Sequence, residues 1–284
     1  MRELTPGFLR PLLLNRKNDS HKGDYGHLLL VCGSDAYSGA AVLSTGAALK
    51  SGCGLVTLHS CARALQATVN NYPSAMPSED PAGHFTTLPS RLERYSAIAV
   101  GPGLGQAPDT LNALQELLGA AKSAGIPMVL DADALNLIAS NPGLISLIPE
   151  GSVMTPHDGE LHRLVSWDDD SQKEAAAAEL CRRSGCVMVL KGWHSRIIAP
   201  SGEAFENTTG NAGMAKGGSG DVLTGLVGGL LARGYKALEA ACLGTWIHGF
   251  TGDCLSQEYT PEAYSSQDLI ENLYKGFVSL YNTR

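Results

Sequence analysis

The sequence has no CxxC pair, no excess of basic residues and no apolar run long enough to cross a bilayer, and each absence removes a class of function. Its seven cysteines, at positions 32, 53, 61, 181, 186, 242 and 254, lack the spacing that clasps zinc or performs thiol exchange. They read as buried thiols of a reducing cytosol. Positive charge is short: 21 Lys and Arg against 28 Asp and Glu leave a net charge of -7. Such a chain lacks the field to wrap nucleic acid or to lie on an anionic membrane, although a local nest of amides still holds a small anion. The longest apolar stretch, residues 222 to 232, is shorter than the roughly twenty residues a span requires. The opening "MRELTPGFLRPLLLNRKND" has too short an apolar core for a secretory leader. A cytoplasmic protein is the expectation. No GxxxxGK[ST] is present, and the first strand ends in "GSDAYSG" rather than GxGxxG, so neither the Walker A nor the Rossmann phosphate loop applies.

What the 284 residues do contain is 44% hydrophobic and 17% charged, the balance of a folded globular chain. Short runs rich in Val, Ile and Leu alternate with helical patterns. Strands are predicted at 27–34, 55–60, 97–103, 127–133, 152–157, 187–192 and 195–202, the last two antiparallel. Between them "GAAVLSTGAALKSG", "PDTLNALQELLGAAKSAG" and "SQKEAAAAELCRRSG" each end at a glycine suited to a helix C-terminus. Three further helices are predicted near 221–233, 237–257 and 266–281, with no linker before them. The pattern is α/β: one doubly wound domain over 1–284, with a mainly parallel sheet and helices on both faces.

In such sheets ligands collect beyond the carboxyl ends of the strands. Those ends read "GSDAYSG", "GPGLG", "DADALN", "TPHDGE" and "KGWHS", and "AKGGSGD" opens the helical block. The last of these is the most telling. Without Cβ atoms Gly217, Gly218 and Gly220, with Ser219 among them, let successive amides converge, and the following helix adds its positive end. That is an anion hole. Asp221 has a plain use as an N-cap, but capping does not need the glycines, and a carboxylate beside a bound phosphoryl group repels it. Its presence suits a base that takes the proton of an attacking hydroxyl.

A glycine-rich turn followed by such an aspartate resembles the ribokinase-like fold. More narrowly, "HKGDYGHLLLVCGSDAYSGAAVLSTGAALKSGCGLVTL", "GPGLG", "DADALN", "TPHDGEL", "KGWHSRI" and "NTTGNAGMAKGGSGDVLTG", in this order, resemble the ADP/ATP-dependent NAD(P)H-hydrate dehydratases. The resemblance implies repair of damaged cofactor. The S-form of NADHX or NADPHX, a nicotinamide ring that has added water, is phosphorylated on its hydroxyl and loses phosphate to return NADH or NADPH. Magnesium and ADP or ATP are implied, with ADP to AMP the usual bacterial form. By the same resemblance Asp221 contacts the hydrate hydroxyl as base. Ala40, Gly103 and His157 contact the hydrate, while Gly220 and the segment Lys191, Gly192, Trp193, His194 and Ser195 contact the nucleotide. Glu160 holds magnesium through water or, alternatively, serves the start of its helix. A separate NAD(P)HX epimerase is an expected functional partner, since a fused epimerase domain has no room here, and a homotetramer is the implied assembly.

Two other readings stay open. One is a kinase of the same fold acting on a hydroxymethyl-bearing vitamin precursor; "TPH" where those kinases have TPN argues against it. The other is a nucleotide sensor without chemistry, against which Asp221 stands. Asp158, Ser195, Ser219 and Ala212 depart from the family's usual residues, and Asp158 adds negative charge near the substrate. His21, Lys22 and Gly23 are expected to order a loop near the first strand. Asp131 and Asp133 are not read as metal ligands, the second being a helix cap. Trp193 and Trp246 are read as core, with adenine stacking as the alternative.

Overall fold

Ten strands form one sheet among the described residues, which are 1–281 of the computed structural model. They are β1 (Arg2–Glu3), β2 (His27–Val31), β3 (Leu55–Cys61), β4 (Met76–Asp80), β5 (Ala97–Val100), β6 (Met128–Leu130), β7 (Val153–Met154), β8 (Val187–Leu190), β9 (Ser195–Ile198) and β10 (Ala204–Asn207). The helices are α1 (Pro6–Leu9), α2 (Ser38–Lys50), α3 (Ala62–Asn71), α4 (Pro108–Ala124), α5 (Ala132–Ser140), α6 (Asp158–Leu164), α7 (Lys173–Ser184), α8 (Ser219–Ala232), α9 (Ala237–Tyr259), α10 (Ser266–Asn272) and α11 (Tyr274–Tyr281). The strand order is β1-β10-β9-β8-β7-β6-β5-β2-β3-β4. From β8 to β4 all neighbours are parallel, while β9 is antiparallel to both β8 and β10.

The central strands β5, β6, β7 and β8 are apolar at every position because both faces are covered. Leu28 and Leu30 enter one core and Leu29 and Val31 the other; Ala97 and Ala99 divide from Ile98 and Val100 in the same way. The first core is closed by α2, α3, α8, α9 and α10, and the second by α4, α5, α6 and α7. The chain runs outward from β2 to β4, returns to the other side of β2 as β5, and continues outward to β8. The crevice between β2 and β5 is therefore the switch point where such sheets bind ligands. There the turns after the two strands touch, Gly33 N donating to Pro102 O at 2.8 Å.

The seven predicted strands are all present, though 152–157 contracts to Val153–Met154 with a bridge between His157 and Lys191 beyond it. Strand β4, "MPSED", carries a proline and charges because it lies at the sheet edge, where one side needs no ladder partner. Helices α4 and α7 end at Gly125 (φ 67) and Gly185 (φ 69), as expected, whereas α2 caps on Ser51 and Gly52 follows. Helix 266–281 is two helices, broken at Leu273. Cys53 and Cys254 are only half-buried; the other five cysteines are buried and all seven are free.

One glycine fixes how closely α8 approaches α2. A Cβ at Gly225 would stand 2.0 Å from the Ser44 carbonyl oxygen, which is backbone and cannot rotate away. Gly225→Ala is expected to lower stability by about 1–3 kcal/mol or more, the usual cost of overpacking. A urea midpoint equal to the parent's would show that the two helices are not so close.

Candidate active site

The turn before α8 is shaped by glycine rather than merely rich in it. Gly218 is the N-cap, at φ 89, a torsion that strains any residue with a Cβ, and a Cβ there would also push on the Leu43 side chain, whose Cδ1 would lie 2.3 Å away. The helix begins at Ser219, two residues earlier than its apolar stripe implies, and Asp221 is its third residue rather than its cap. Of the first-turn amides, Ser219 N donates to Lys216 O at 3.4 Å, while those of Gly220 and Asp221 are left available to a ligand.

Beneath the turn lies a cation in a ring of carboxylates. The missing Cβ of Gly220 would be 3.5 Å from Lys191 Nζ and 3.8 Å from Asp131 Oδ2. Lys191 Nζ donates to Asp131 Oδ1 at 2.7 Å and lies 3.7 Å from Glu160 Oε2. Burial works against the ammonium charge, but Asp131, Glu160 and Asp221 outweigh it and hold the lysine above its ordinary pKa. Asp131, 1% exposed, also accepts from Thr224 Oγ1 at 2.6 Å, so each oxygen of this buried carboxyl group has a donor. Asp221 is different: no donor among the described residues hydrogen-bonds its carboxylate. Burial, joined by the Asp131 charge and partly relieved by Lys191, pushes its pKa up to about 6. A carboxylate poised this near neutrality is suited to accepting a proton.

Two cavities meet at this helix end. The larger, about 680 Å³, is bordered by Lys191, Gly192, Trp193, Ser195, Ser219 and Gly220 among others. The smaller, about 510 Å³, is bordered by Ala40, Gly103, Gly218 and Asp221, with Tyr37 and Asp133. Ala40 and Gly103 touch across the switch point, since a Cβ at Gly103 would be 2.9 Å from Ala40 Cβ. His157, grouped with the hydrate contacts by resemblance, lines the larger cavity instead. It caps α6: its Nδ1 accepts from Gly159 N at 3.0 Å, and Glu160 Oε2 accepts from His157 N at 2.9 Å. Glu160 therefore has the helix-start role, with lone pairs left over for water. His194 stacks with Trp193 and lies 3.4 Å from Glu206 in an adjoining cavity of about 260 Å³.

Several expectations change. Trp246 is core, 2% exposed, but Trp193 is 71% exposed, because the turn joining β8 to β9 projects beyond the sheet. Asp158 does not add bare charge, as Lys173 Nζ pairs with it at 2.5 Å. Asp133 is no cap; its carboxylate accepts from Gly105 N at 2.9 Å and Gln106 Nε2 at 3.0 Å, holding the "GPGLG" turn. His21 and Asp24 form a reciprocal capping pair for a short helix at Lys22–Tyr25, the ordered loop expected there. Asp131, Thr224, Tyr37 and the buried His248 were not singled out for the site. His248 Nε2 is 3.4 Å from Ser219 Oγ, and burial, with a small contribution from Lys191, brings its pKa down to about 4, so it stays neutral. Only the "DAD" strand end gave a local signal for any of them.

The sheet order and the helix-end site define a ribokinase-like protein, a class shared with a ribokinase-like superfamily protein of Enterococcus faecalis (28% identity, TM-score 0.85, 98% of this chain and 96% of that one). The chain belongs to the NAD(P)H-hydrate dehydratase family, whose model matches residues 28–275. It is 38% identical over 285 residues to the bifunctional NAD(P)H-hydrate repair enzyme Nnr of Moorella thermoacetica, covering 96% of this chain and 53% of that protein. It is 36% identical over 250 residues to the ADP-dependent (S)-NAD(P)H-hydrate dehydratase of Neisseria meningitidis, covering 85% and 81%. The chain spans about half the length of the bifunctional relatives. The ADP/ATP-dependent NAD(P)H-hydrate dehydratase of Bacillus subtilis, co-crystallised with ATP and magnesium, superimposes with a TM-score of 0.85 at 30% identity over 98% of each chain. Among the described residues no helix is long and apolar enough to cross a membrane.

Proposed function

We propose that this chain is a nucleotide-dependent (S)-NAD(P)H-hydrate dehydratase that converts NADHX or NADPHX to the reduced dinucleotide, with ADP going to AMP. One observation carries the reading: a single helix N-terminus separates two cavities, with a base bordering one and a cation bordering the other. The nucleotide belongs in the larger cavity, where Lys191 and the 217–220 amides meet its terminal phosphate. The hydrate belongs in the smaller, where Ala40 and Gly103 leave room for a flat ring beside Asp221.

Asp221 takes the proton of the hydrate hydroxyl as that oxygen bonds to the terminal phosphorus, and the bond from phosphorus to the AMP oxygen breaks. The amides and Lys191 stabilise the charge on the transferred group. The ring nitrogen then donates its lone pair, the carbon–oxygen bond breaks, phosphate leaves and a ring proton is lost, restoring the double bond. Overall, hydrate and ADP give reduced dinucleotide, AMP, phosphate and a proton. Magnesium would be held by nucleotide phosphates and, through water, by Glu160, and would neutralise phosphate charge. The bifunctional relatives support an epimerase as functional partner.

The deciding experiment incubates the S-hydrate of NADH with protein, magnesium and ADP or ATP. Absorbance of reduced nicotinamide is expected to return, faster with ADP. No recovery with either nucleotide, alongside phosphorylation of an alcohol acceptor, would make the protein a kinase; tight nucleotide binding with neither reaction would make it a sensor.

A further inference from the structure

Lys216 stands at the start of the glycine turn, and no carboxylate pairs with it among the described residues. Its ammonium instead donates to three backbone carbonyls, Pro261 O at 2.9 Å, Glu262 O at 3.1 Å and Tyr264 O at 2.5 Å. The Tyr264 ring lies 4.5 Å from the same nitrogen. Three donors thus meet three acceptors, and the charge rests on carbonyl dipoles and a π face, a cradle for a compact monovalent cation.

That cradle belongs to the segment between α9 and α10, which braces the turn from behind. Ser266 Oγ donates to Gly217 O at 2.9 Å, and Tyr264 Oη donates to Asn211 Oδ1 at 2.8 Å. The backbone of Lys216 is itself part of the turn: its N–H reaches Met214 O at 2.8 Å and its carbonyl accepts from Ser219 N at 3.4 Å. A run of glycines is the most mobile backbone a chain can make, yet amides stabilise a developing anion only when they are already aimed. The tie from Lys216 to residues 261–264 supplies the aim.

We propose that Lys216 is a positioning residue acting as a built-in monovalent cation, which holds the 217–220 amides in line for the transferred phosphoryl group. The inference rests on the dehydratase reading for what is transferred, but not for the tie itself. Lys216→Ala leaves the three carbonyls facing the volume the ammonium vacated. Turnover is expected to fall about tenfold or more, as for a reacting group displaced by a fraction of an ångström, with a smaller change in KM for nucleotide. Added ammonium chloride is expected to restore much of it, tetramethylammonium chloride none, and the parent protein should respond to neither.

The second measurement is hydrogen exchange of the turn amides that are themselves bonded, those of Lys216, Ser219 and Val222, made without substrate. Exchange is expected to quicken in Lys216→Ala and to slow again with ammonium. Parental turnover in the variant, or a loss that ammonium does not reverse in a protein that still melts cooperatively, would overturn the proposal. If Lys216→Ala does not melt cooperatively, Lys216→Met, which fills the volume without the charge, decides: turn amides exchanging at the parental rate would overturn it. Because exchange needs no hydrate, failure of the dehydratase reading and failure of this one are separate results.

Discussion

Asp221→Asn is expected to lower turnover by about a hundredfold or more, the weight of a general base, while nucleotide binding stays close to the parent's. The asparagine keeps the volume and the first helical turn but cannot take a proton. The parent should also carry the signature of its base. With a pKa near 6, Asp221 is protonated and idle in acid, so kcat/KM should rise with pH through about 6 and level off above it. The variant should lose that limb. Stability should move the opposite way. The folded-state pKa lies above the ordinary 3.8, so the native state binds the proton more tightly than the unfolded chain does. The resulting stability is fully present below about 3.8 and is lost as pH rises through about 6. Asp221→Asn, always neutral, should therefore melt higher than the parent above pH 6 and close to it below pH 4. Parental turnover in the variant would remove the base assignment; an unchanged melting difference across pH would remove its burial.

The second large effect is expected from Lys191→Met. In the proposed reading its ammonium meets a phosphate on one side, and it donates to Asp131 on the other, so one substitution acts on two properties. Loss of a charged contact to phosphate is worth about 1.5–3 kcal/mol, or roughly tenfold to hundredfold in nucleotide affinity. Loss of the partner of a carboxylate that is 1% exposed should cost about 3 kcal/mol of stability, since Asp131 keeps only Thr224 as a side-chain donor. A third readout ties the two together. Lys191 restrains the pKa of Asp221, so the acid limb of the rate profile should shift to higher pH in the variant. Isothermal titration, urea melts and the pH profile measure the three separately. An affinity loss without the pH shift would mean that Lys191 serves the nucleotide but lies too far from Asp221 to bias it.

Much of the site was legible because its signals are local. The "AKGGSGD" turn needs glycine for its own torsions and contacts, and Asp221 follows it in sequence; "TPHDGE" carries the spacing of a reciprocal cap in four residues. The misreadings were local as well. Asp221 resembled a cap because the apolar stripe begins beside it, while the helix starts two residues earlier on Ser219. Trp193 resembled core because a tryptophan usually buries most of its surface, and only the projection of its turn puts it at a cavity mouth.

The sequence by itself determined the layered α/β architecture, the antiparallel turn at β8 and β9, and a glycine-shaped helix start with an acid beside it, because period, torsion and capping depend on neighbours along the chain. Tertiary structure alone decided that Asp131 holds Lys191 across 60 positions and Thr224 across 93, that His157 and Ala40 border different cavities, and that Lys216 is bound by carbonyls more than forty residues away. Those contacts arise where separate strand ends and helix ends converge at one edge of the sheet. No local pattern encodes that convergence, since any of several strand orders would satisfy the same alternation of apolar residues.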